Sequence, residues 1–338
     1  MKKITYEDSG VNINEGNKTV RLIKEILKKY KSSREIGKFG GTFKLPEGYT
    51  SPYLISSSDG VGTKLKVAIM SGIYDTVGQD LVNHCVDDIL VQGAKPLYFL
   101  DYFATGKLKA EIAASVIEGF AKACYENDCI LLGGETAEMP GFYSAGDFDI
   151  AGFITGIAEE KEIIDGSKIK TGDLIIGLPS TGLHTNGYSL ARKIFFDKLK
   201  MKTDSIFSPT GKTIAEELLA IHKSYYKKLF PLRGMINGMA HITGGGFYEN
   251  IPRILNKNHS AKIKINWDIP EIFEFLVKES GISLKEGFRA FNMGIGMIVI
   301  IGKGVFNEFT DEYGDNYYLI GEIIEDSDEK RVIIEGIE

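Results

Sequence analysis

Cysteine, tryptophan and surplus positive charge are all scarce in this chain of 338 residues. Its three cysteines, Cys85, Cys124 and Cys129, form no Cys-x-x-Cys pair and have no histidine at ligand spacing, so the pattern indicates neither a disulfide framework nor a zinc site. They read as core thiols. The formal charge of −6 excludes a broad nucleic-acid face, because displacing counterions from a phosphate backbone needs a basic surface. No apolar run approaches the length of a membrane span, and Met1-Lys2-Lys3-Ile4-Thr5-Tyr6-Glu7-Asp8 lacks the apolar stretch of a signal peptide. The expectation is a cytoplasmic protein with no membrane and no nucleic acid among its partners. A Walker A loop is also missing: the only Gly-Lys-Thr, Gly211 to Thr213, has Ile206 where that motif needs its first glycine. No Gly-x-Gly-x-x-Gly follows a strand pattern, and no short repeat or low-complexity tract occurs.

What is present is the balance of a globular protein, 43% hydrophobic and 25% charged, in a length that accommodates two cores. Residues 17 to 31 place Val20, Ile23, Leu27 and Tyr30 on one stripe of a basic amphipathic helix, offset from Arg21, Lys24, Lys28 and Lys29. The glycines of Ile36-Gly37-Lys38-Phe39-Gly40-Gly41-Thr42-Phe43 suit a loop that bends around a ligand, or a plain connector. Strand patterns at 53–57, 97–103, 130–132 and 150–157 alternate with helical ones at 76–92 and 110–125. A polar passage over 159–172 then leads to a second unit that restarts with Leu174 to Leu178 and a helix near 188–198. The fold class is therefore α+β, built in mixed layers.

Several segments are dense in chemistry. In Ser58-Asp59-Gly60-Val61-Gly62-Thr63-Lys64 a carboxylate ends a strand pattern, Gly60 and Gly62 allow close approach, and Thr63 and Lys64 add a hydroxyl and an ammonium. That set suits Mg²⁺ with phosphate, though Asp-Gly is also a common turn. Asp88 closes the helix before the turn Gly93-Ala94-Lys95-Pro96, and Glu135 follows Gly133-Gly134 after a strand. If their strands are adjacent, both converge with Asp59 on one metal-rich edge; otherwise Asp88 is a solvated helix residue and Glu135 a loop charge. Asp101, inside the apolar run 97–103, needs a partner or a cation, because an unpaired buried charge is costly. His184, in a Ser/Thr/Gly loop, and His241, just before Thr243-Gly244-Gly245-Gly246, both fit phosphate or proton handling. His222 and His259 lie among lysines and polar residues and take the structural reading, and His84 reads as helix packing.

In this order, these segments resemble the phosphoribosylformylglycinamidine cyclo-ligase (aminoimidazole ribonucleotide synthetase) family. The resemblance runs from Tyr6-Glu7-Asp8-Ser9-Gly10-Val11 through Gly182-Leu183-His184-Thr185-Asn186-Gly187-Tyr188-Ser189 and His241 to Arg253, to Phe291-Asn292-Met293-Gly294. It implies ATP-dependent closure of formylglycinamidine ribonucleotide to aminoimidazole ribonucleotide, with release of ADP and phosphate. It implies a homodimer: residues 1–165 form an N-terminal domain for ATP and dimerisation, whose sheet joins its mate in a shared β-barrel. Residues 166–338 form a C-terminal domain, a sheet flanked by helices, for the substrate phosphate. Carried over to this chain, Asp59, Asp88 and Glu135 hold Mg²⁺. Lys24, Gly40, Gly41, Phe43, Gly60, Gly62, Thr63, Lys64, Asp101, Gly134 and Thr136 bind ATP, with Lys64 and the 37–43 loop closing over the triphosphate. Asn186, Gly187, Ser189, Thr243, Gly244, Gly245 and Gly246 bind the ribotide. Asp59, Lys64, Asp88 and either His184 or His241 serve catalysis.

One departure stands out. The family commonly has Asn-Asp where this chain has Asp87-Asp88, an extra carboxylate that tightens metal binding or faces solvent. Among relatives of the same architecture, a selenophosphate synthetase has a reactive Cys or selenocysteine near the N-terminal glycines, whereas the first cysteine here is Cys85. The hydrogenase maturation dehydratase ends in cysteine, whereas this chain ends in Glu338. The segment His241 to Arg253 favours the cyclo-ligase over thiamine phosphate kinase, and 338 residues are too few for the larger synthetase one step earlier. The alternative of another class is a noncatalytic nucleotide-binding dimer.

Overall fold

The structure, a computed structural model, describes residues 9–30, 40–325 and 331–337. Residues 37–39 of the glycine loop, and Tyr6 to Asp8, lie outside the described residues. The first helix, α1 (Ile13–Lys29), starts earlier than its apolar stripe suggests because the Asn12 side chain caps it, accepting from the backbone N–H groups of Asn14 and Glu15. Four strands follow: β1 (Pro52–Gly60), then after α2 (Lys64–Ser71) and α3 (Asp75–Leu90) β2 (Lys95–Thr105), and after α4 (Ala110–Glu126) β3 (Ile130–Glu138) and β4 (Phe148–Glu159). They pair in the order β1-β4-β2-β3, with only β2 and β3 parallel.

Strand periodicity assigns each residue a face. Ile55, Ile154, Phe99 and Phe103 are buried on the side that carries α3 and α4. Those helices approach closely at two glycines: a Cβ on Gly78 would stand 2.2 Å from the carbonyl of Val116, and one on Gly119 2.6 Å from that of Asp75. Among the described residues, no helix covers the other face. Leu54 and Phe153 are exposed there, beside half-buried Tyr98, Leu100 and Tyr102.

The second sheet contains β5 (Leu174–Pro179), β8 (Ile236–His241), β9 (His259–Ile263), β10 (Ile295–Ile301), β11 (Tyr318–Glu325) and β12 (Val332–Ile334), ordered β12-β9-β11-β5-β10-β8. Every residue of β10 is buried, as its unbroken apolar run requires. A small hairpin, β6 (Ile206–Phe207) with β7 (Lys212–Thr213), stands apart. Helices α5 (Tyr188–Arg192), α6 (Ile214–Leu218), α7 (Tyr226–Leu229), α8 (Gly246–Asn250), α9 (Glu271–Ser280), α10 (Leu284–Ala290) and α11 (Phe306–Tyr313) complete this part. The helix expected over 188–198 is two pieces, α5 and a wider π-turn at Lys193–Lys198. The passage at 159–172 is not loose: Ile164 and Ile169 are buried, and the Asp165 side chain accepts from Ser167 N–H at 2.9 Å.

Helix α3 joins the two parts. Asp80, Asn83, His84, Asp87 and Asp88 recur at i, i+3, i+4, i+7 and i+8, which is one helical face, and that face meets the second unit. It satisfies the backbone of an irregular segment before α7: His222 N–H donates to Asp80 Oδ1 at 2.7 Å, His222 C=O accepts from Asn83 Nδ2 at 2.7 Å, and Tyr225 N–H donates to Asp87 Oδ1 at 2.9 Å. Lys64, fully buried, pairs with Asp80 Oδ2 at 2.8 Å and donates to the carbonyls of Ala220 (2.8 Å) and His184 (3.0 Å). Burial pushes Asp80 up and Lys64 down, each opposed by the other's charge. Removing one partner leaves a buried charge alone, so Asp80→Ala should lower stability by about 3–5 kcal/mol in urea unfolding. The apolar pair Lys64→Met with Asp80→Leu should recover a large part of that loss.

A candidate active site between the two sheets

Two carboxylates meet two imidazoles where β1 and the end of α3 face β8. Asp59 Oδ2 lies 2.8 Å from His84 Nε2, and Asp59 Oδ1 accepts from Gly60 N–H at 2.7 Å. Asp88 Oδ1 lies 2.9 Å from His241 Nδ1, while its Oδ2 accepts from Ser57 Oγ at 2.9 Å and sits 3.8 Å from His84 Nε2. Burial works against ionisation of both acids, but the hydrogen bonds and charges of the imidazoles outweigh it. Asp59 is lowered by His84 and the Gly60 N–H, and Asp88 is lowered to about 2 by His241, His84 and Ser57. For His84 burial is likewise overcome, and Asp59, Asp88 and Asp80 raise it.

Ligand atoms of Asp59, His84 and Asp88 lie within 4.8 Å of one another, and both carboxylates reach solvent, with side chains 46% and 26% exposed. Hard oxygen donors, few in number and open to water, fit Mg²⁺, which keeps most of its shell for water and phosphate oxygens. Glu135 does not join them. Register places Asp59 beside Gly152, Gly152 beside Asp101, and Asp101 beside Gly134, so β1 and β3 are opposite edges, about 14 Å apart at the usual strand spacing. Glu135 pairs with Tyr102 and shares its helix-free face, whereas Asp59 is on the helix face. The expectation of adjacent strands, and of Glu135 in a loop, gives way because β3 runs on to Glu138.

Four of the five histidines gather here. His222 and His84, neither of which the sequence marked as functional, are buried members of the cluster. His222 Nε2 is 3.1 Å from His241 Nε2, and His184 stacks on His222 with ring centres 4.0 Å apart. His184 is sealed in: Nε2 accepts from Thr181 N–H at 3.1 Å, and burial, then the charges of His241 and Lys64, hold it well below the usual histidine range. Lys64 is inside as well, its ammonium surrounded by the three acceptors already named rather than lying over an open ligand site. Asp87 neither faces solvent nor joins Asp59: it is fully buried, and burial drives its carboxyl well above the carboxylate range. Its Oδ1 accepts the Tyr225 N–H instead.

A cleft of 420 Å³ opens beside this group, lined by Ser57, Asp88, His241, Thr243, Asn250 and Arg253. Asn250 Nδ2 donates to the carbonyls of Thr243, Gly244 and Gly246, at 3.4, 3.1 and 2.8 Å, folding the glycine turn that carries two left-handed residues, Gly245 (φ 86°) and Gly246 (φ 58°). Asn186 approaches that turn: a Cβ on Gly244 would stand 3.3 Å from Asn186 Oδ1. Gly187 is held in the left-handed region (φ 80°) against Phe291. Thr63 Oγ1 and Ser189 Oγ are 3.1 Å apart, which joins the first glycine segment to the second unit. Asn250 and Arg253 were in sight in sequence only as the tail of the His241 segment.

A second cavity, of 310 Å³, lies under α1 and is lined by Thr19, Val20, Ile23, Asp101, Leu131 and Gly133 to Thr136. Lys24 is exposed on α1. Gly41 packs against Leu132, and Phe43 lies 5.3 Å from the Tyr98 ring, on the helix-free face of the sheet; Gly40 is exposed beside them. Gly134 must be glycine here, because a Cβ would stand 2.2 Å from Asp101 Oδ1. Burial pushes the Asp101 carboxyl up to about 7, with the charge of Glu135 adding to it against a backbone hydrogen bond. An unfolded aspartate titrates at about 3.9. Between these values the folded chain holds a proton that the unfolded chain has lost, so this group costs stability as pH rises to about 7. Asp101→Asn should remove that cost: in urea unfolding of nucleotide-free protein its advantage over the parent should grow by about 2–4 kcal/mol from pH 4 to pH 8.

Comparison with known proteins agrees with this architecture. The family model described as AIR synthase related protein, N-terminal domain, matches residues 47–158, and the one described as AIR synthase related protein, C-terminal domain, matches residues 170–334. The phosphoribosylformylglycinamidine cyclo-ligase of Caldanaerobacter subterraneus subsp. tengcongensis is 52% identical over 327 residues, 95% of this chain and 97% of that one. Its namesake from Alkaliphilus metalliredigens is 46% identical over 344 residues, 99% of each. Among solved structures, a thiamine-monophosphate kinase from Stenotrophomonas maltophilia superposes with a TM-score of 0.67 at 13% identity, covering 95% of this chain and 96% of that one. The hydrogenase maturation protein HypE in complex with ATP gives 0.66 at 15%, covering 94% and 91%. The last two show a shared fold; identity near one half over nearly the whole length shows more, and this chain belongs to the phosphoribosylformylglycinamidine cyclo-ligase family of AIR synthase related proteins.

Proposed function

We propose that this chain closes the imidazole ring of aminoimidazole ribonucleotide from formylglycinamidine ribonucleotide and ATP, in purine biosynthesis, at the junction of the two sheets. ATP phosphorylates the formyl oxygen, the amidine nitrogen attacks that carbon, and phosphate leaves with the oxygen as a proton is released. No protein nucleophile is needed, so the residues act by positioning and by meeting charge. The observation that carries the reading is the placement of Asp59, Asp88, His84 and His241 beside a cleft that also holds Arg253.

Asp59 and Asp88 are the proposed Mg²⁺ residues, and the ion, when bound, neutralises phosphate oxygens. Through its hydrogen bond His241 keeps Asp88 ionised and aimed at the cleft. It is the histidine we assign to the reacting end, since His184 is sealed behind His222. Arg253, Thr243, Gly244 to Gly246, Asn186, Gly187 and Ser189 form the proposed ribotide phosphate side, where a guanidinium and backbone N–H groups suit an anion. For ATP, the cavity under α1 offers apolar walls and one buried carboxyl, Asp101, able to bond the amino group of a base, with Gly134 and Thr136 beside it, Lys24 outside it, and Gly40, Gly41 and Phe43 across the sheet. Gly60, Gly62 and Thr63 complete the proposed ATP side, and Lys64 serves by holding the junction.

The homodimer and its shared barrel are part of the same proposal, with residues 1–165 and 166–338 as its two domains. The helix-free face with Leu54 and Phe153, and β1 as a sheet edge, are what such a pairing would cover. Among the described residues no helix is long and apolar enough to cross a membrane. We place the enzyme in the cytoplasm, where ATP is supplied.

Mixing the protein with Mg-ATP and the ribotide should give aminoimidazole product and ADP together. Asp88→Asn should reduce that turnover about 100- to 1,000-fold while leaving the fold intact, by analogy with losses at preorganised charge-stabilising groups. Near-normal turnover refutes the metal role, and nucleotide binding without either product favours the noncatalytic alternative. Phe153→Asp should shift a dimeric mass in light scattering toward the monomer; a parent protein that is already monomeric contradicts the shared barrel.

A further inference from the structure

We propose that His84, His222 and His241 form a three-imidazole site for a borderline transition-metal ion of the Zn²⁺ class, separate in donor chemistry from the Asp59 and Asp88 oxygens. One ligand nitrogen of each lies within 4.8 Å of the other two, and all three side chains are buried. Their ring centres form a nearly equilateral triangle, 5.3 Å between His84 and His222, 4.9 Å between His84 and His241, and 5.0 Å between His222 and His241. The interplanar angles are equally uniform, at 68°, 63° and 67°. Three imidazoles bound tetrahedrally to zinc at the usual ~2.0–2.1 Å place ring centres about 5.2 Å apart and ligand nitrogens about 3.3 Å apart. His222 Nε2 and His241 Nε2 already stand 3.1 Å apart, so two of the three nitrogens are at the separation one ion imposes.

The surroundings orient these rings. His241 gives its other nitrogen, Nδ1, to Asp88 Oδ1 at 2.9 Å, the carboxylate–histidine arrangement that turns the Nε2 lone pair toward a metal. His84 is held from behind by Thr185 Oγ1, 2.8 Å from Nδ1. His222 is fixed through its backbone, bound at N–H by Asp80 and at C=O by Asn83. Metal entry changes three bonds: His222 shifts its Nε2 proton to Nδ1, which now has no partner; His84 releases Asp59, its Nε2 proton giving way to one on Nδ1 that donates to Thr185 Oγ1; and the Nε2···Nε2 contact becomes two metal–nitrogen bonds. Of the three rings His241 lines the cleft, and from that side water reaches the fourth position. Magnesium, which takes oxygen donors, is no competitor for this set. Because the three rings come from α3, from the segment before α7 and from β8, one ion ties both sheets together. The site does not rest on the ring-closing reading, and its test needs no turnover.

Full-length protein treated with chelator, then kept in excess Mg²⁺, is titrated with Co²⁺. One ion per chain should bind with the intense visible bands of four- or five-coordinate cobalt, and Zn²⁺ should displace it. His222→Gln and His84→Gln should each weaken binding at least about tenfold, while His259→Gln, remote on β9, should bind as the parent does. X-ray absorption of the zinc-loaded parent covers the case of a variant that fails to fold, and should show imidazole nitrogens at ~2.0–2.1 Å. No uptake, a weak six-coordinate spectrum, oxygen-only scattering, or equal affinity in folded parent, His222→Gln and His84→Gln would each overturn the site.

Discussion

A stripe of polar side chains on α3, buried against an irregular segment of the second unit, is the contact on which the rest of the structure depends. Asp80, Asn83 and Asp87 take the place of a strand neighbour for residues 222 to 225, whose backbone groups would otherwise be buried without partners. Lys64 closes the same junction from α2. An apolar contact would hold the two sheets together as firmly, since buried ions recover little beyond their desolvation cost. What the polar contact adds is a fixed geometry, because each hydrogen bond admits one register. Asp88 and His84, on the same stripe, thereby meet His241 from β8 at 2.9 Å and Asp59 from β1 at 2.8 Å.

The aspartates of this region share a side chain and differ in state. Asp59 and Asp88 have imidazoles beside them and remain ionised despite partial burial. Asp87 and Asp101 have no cation close enough to offset desolvation, and their carboxyls are pushed up. Charge is thus concentrated on the two acids that reach the cleft edge. Ser57, Thr243 and Asn250 beside it are neutral donors and acceptors, which hold shape without competing for a cation.

Much of this was legible in the chain. The helical spacing of Val77, Leu81, Val82, Cys85 and Ile89 located α3, and the β-branched runs located β1, β2, β4 and β5 to within a few residues. Asp59, Asp88 and His241 could be singled out because glycines and element ends mark places where a carboxylate or imidazole is exposed to ligand. The polar stripe was equally visible at i, i+3, i+4, i+7 and i+8, but a polar face on a helix ordinarily meets water, and only the second sheet turns it inward. For the same reason His84 and His222 read as bland, since nothing in local spacing says that three histidines from separate elements will share one point. Glu135 went astray through strand order: Gly133-Gly134 looked like the end of a strand, yet β3 continues and sits at the far edge. Lys64 beside Asp59 in sequence gave no hint that its ammonium would turn inward to Asp80.

The central claim is that Asp59 and Asp88, brought together by α3 and β1, hold the catalytic cation without Glu135 of the same chain. The most direct measurement is a crystal structure of the protein with Mn²⁺, a nonhydrolysable ATP analogue and the ribotide, read by the anomalous signal of manganese. The account predicts a peak bonded to carboxylate oxygens of Asp59 and Asp88, with His241 still on Asp88. Manganese bound elsewhere, with both carboxylates remote from it, would contradict it.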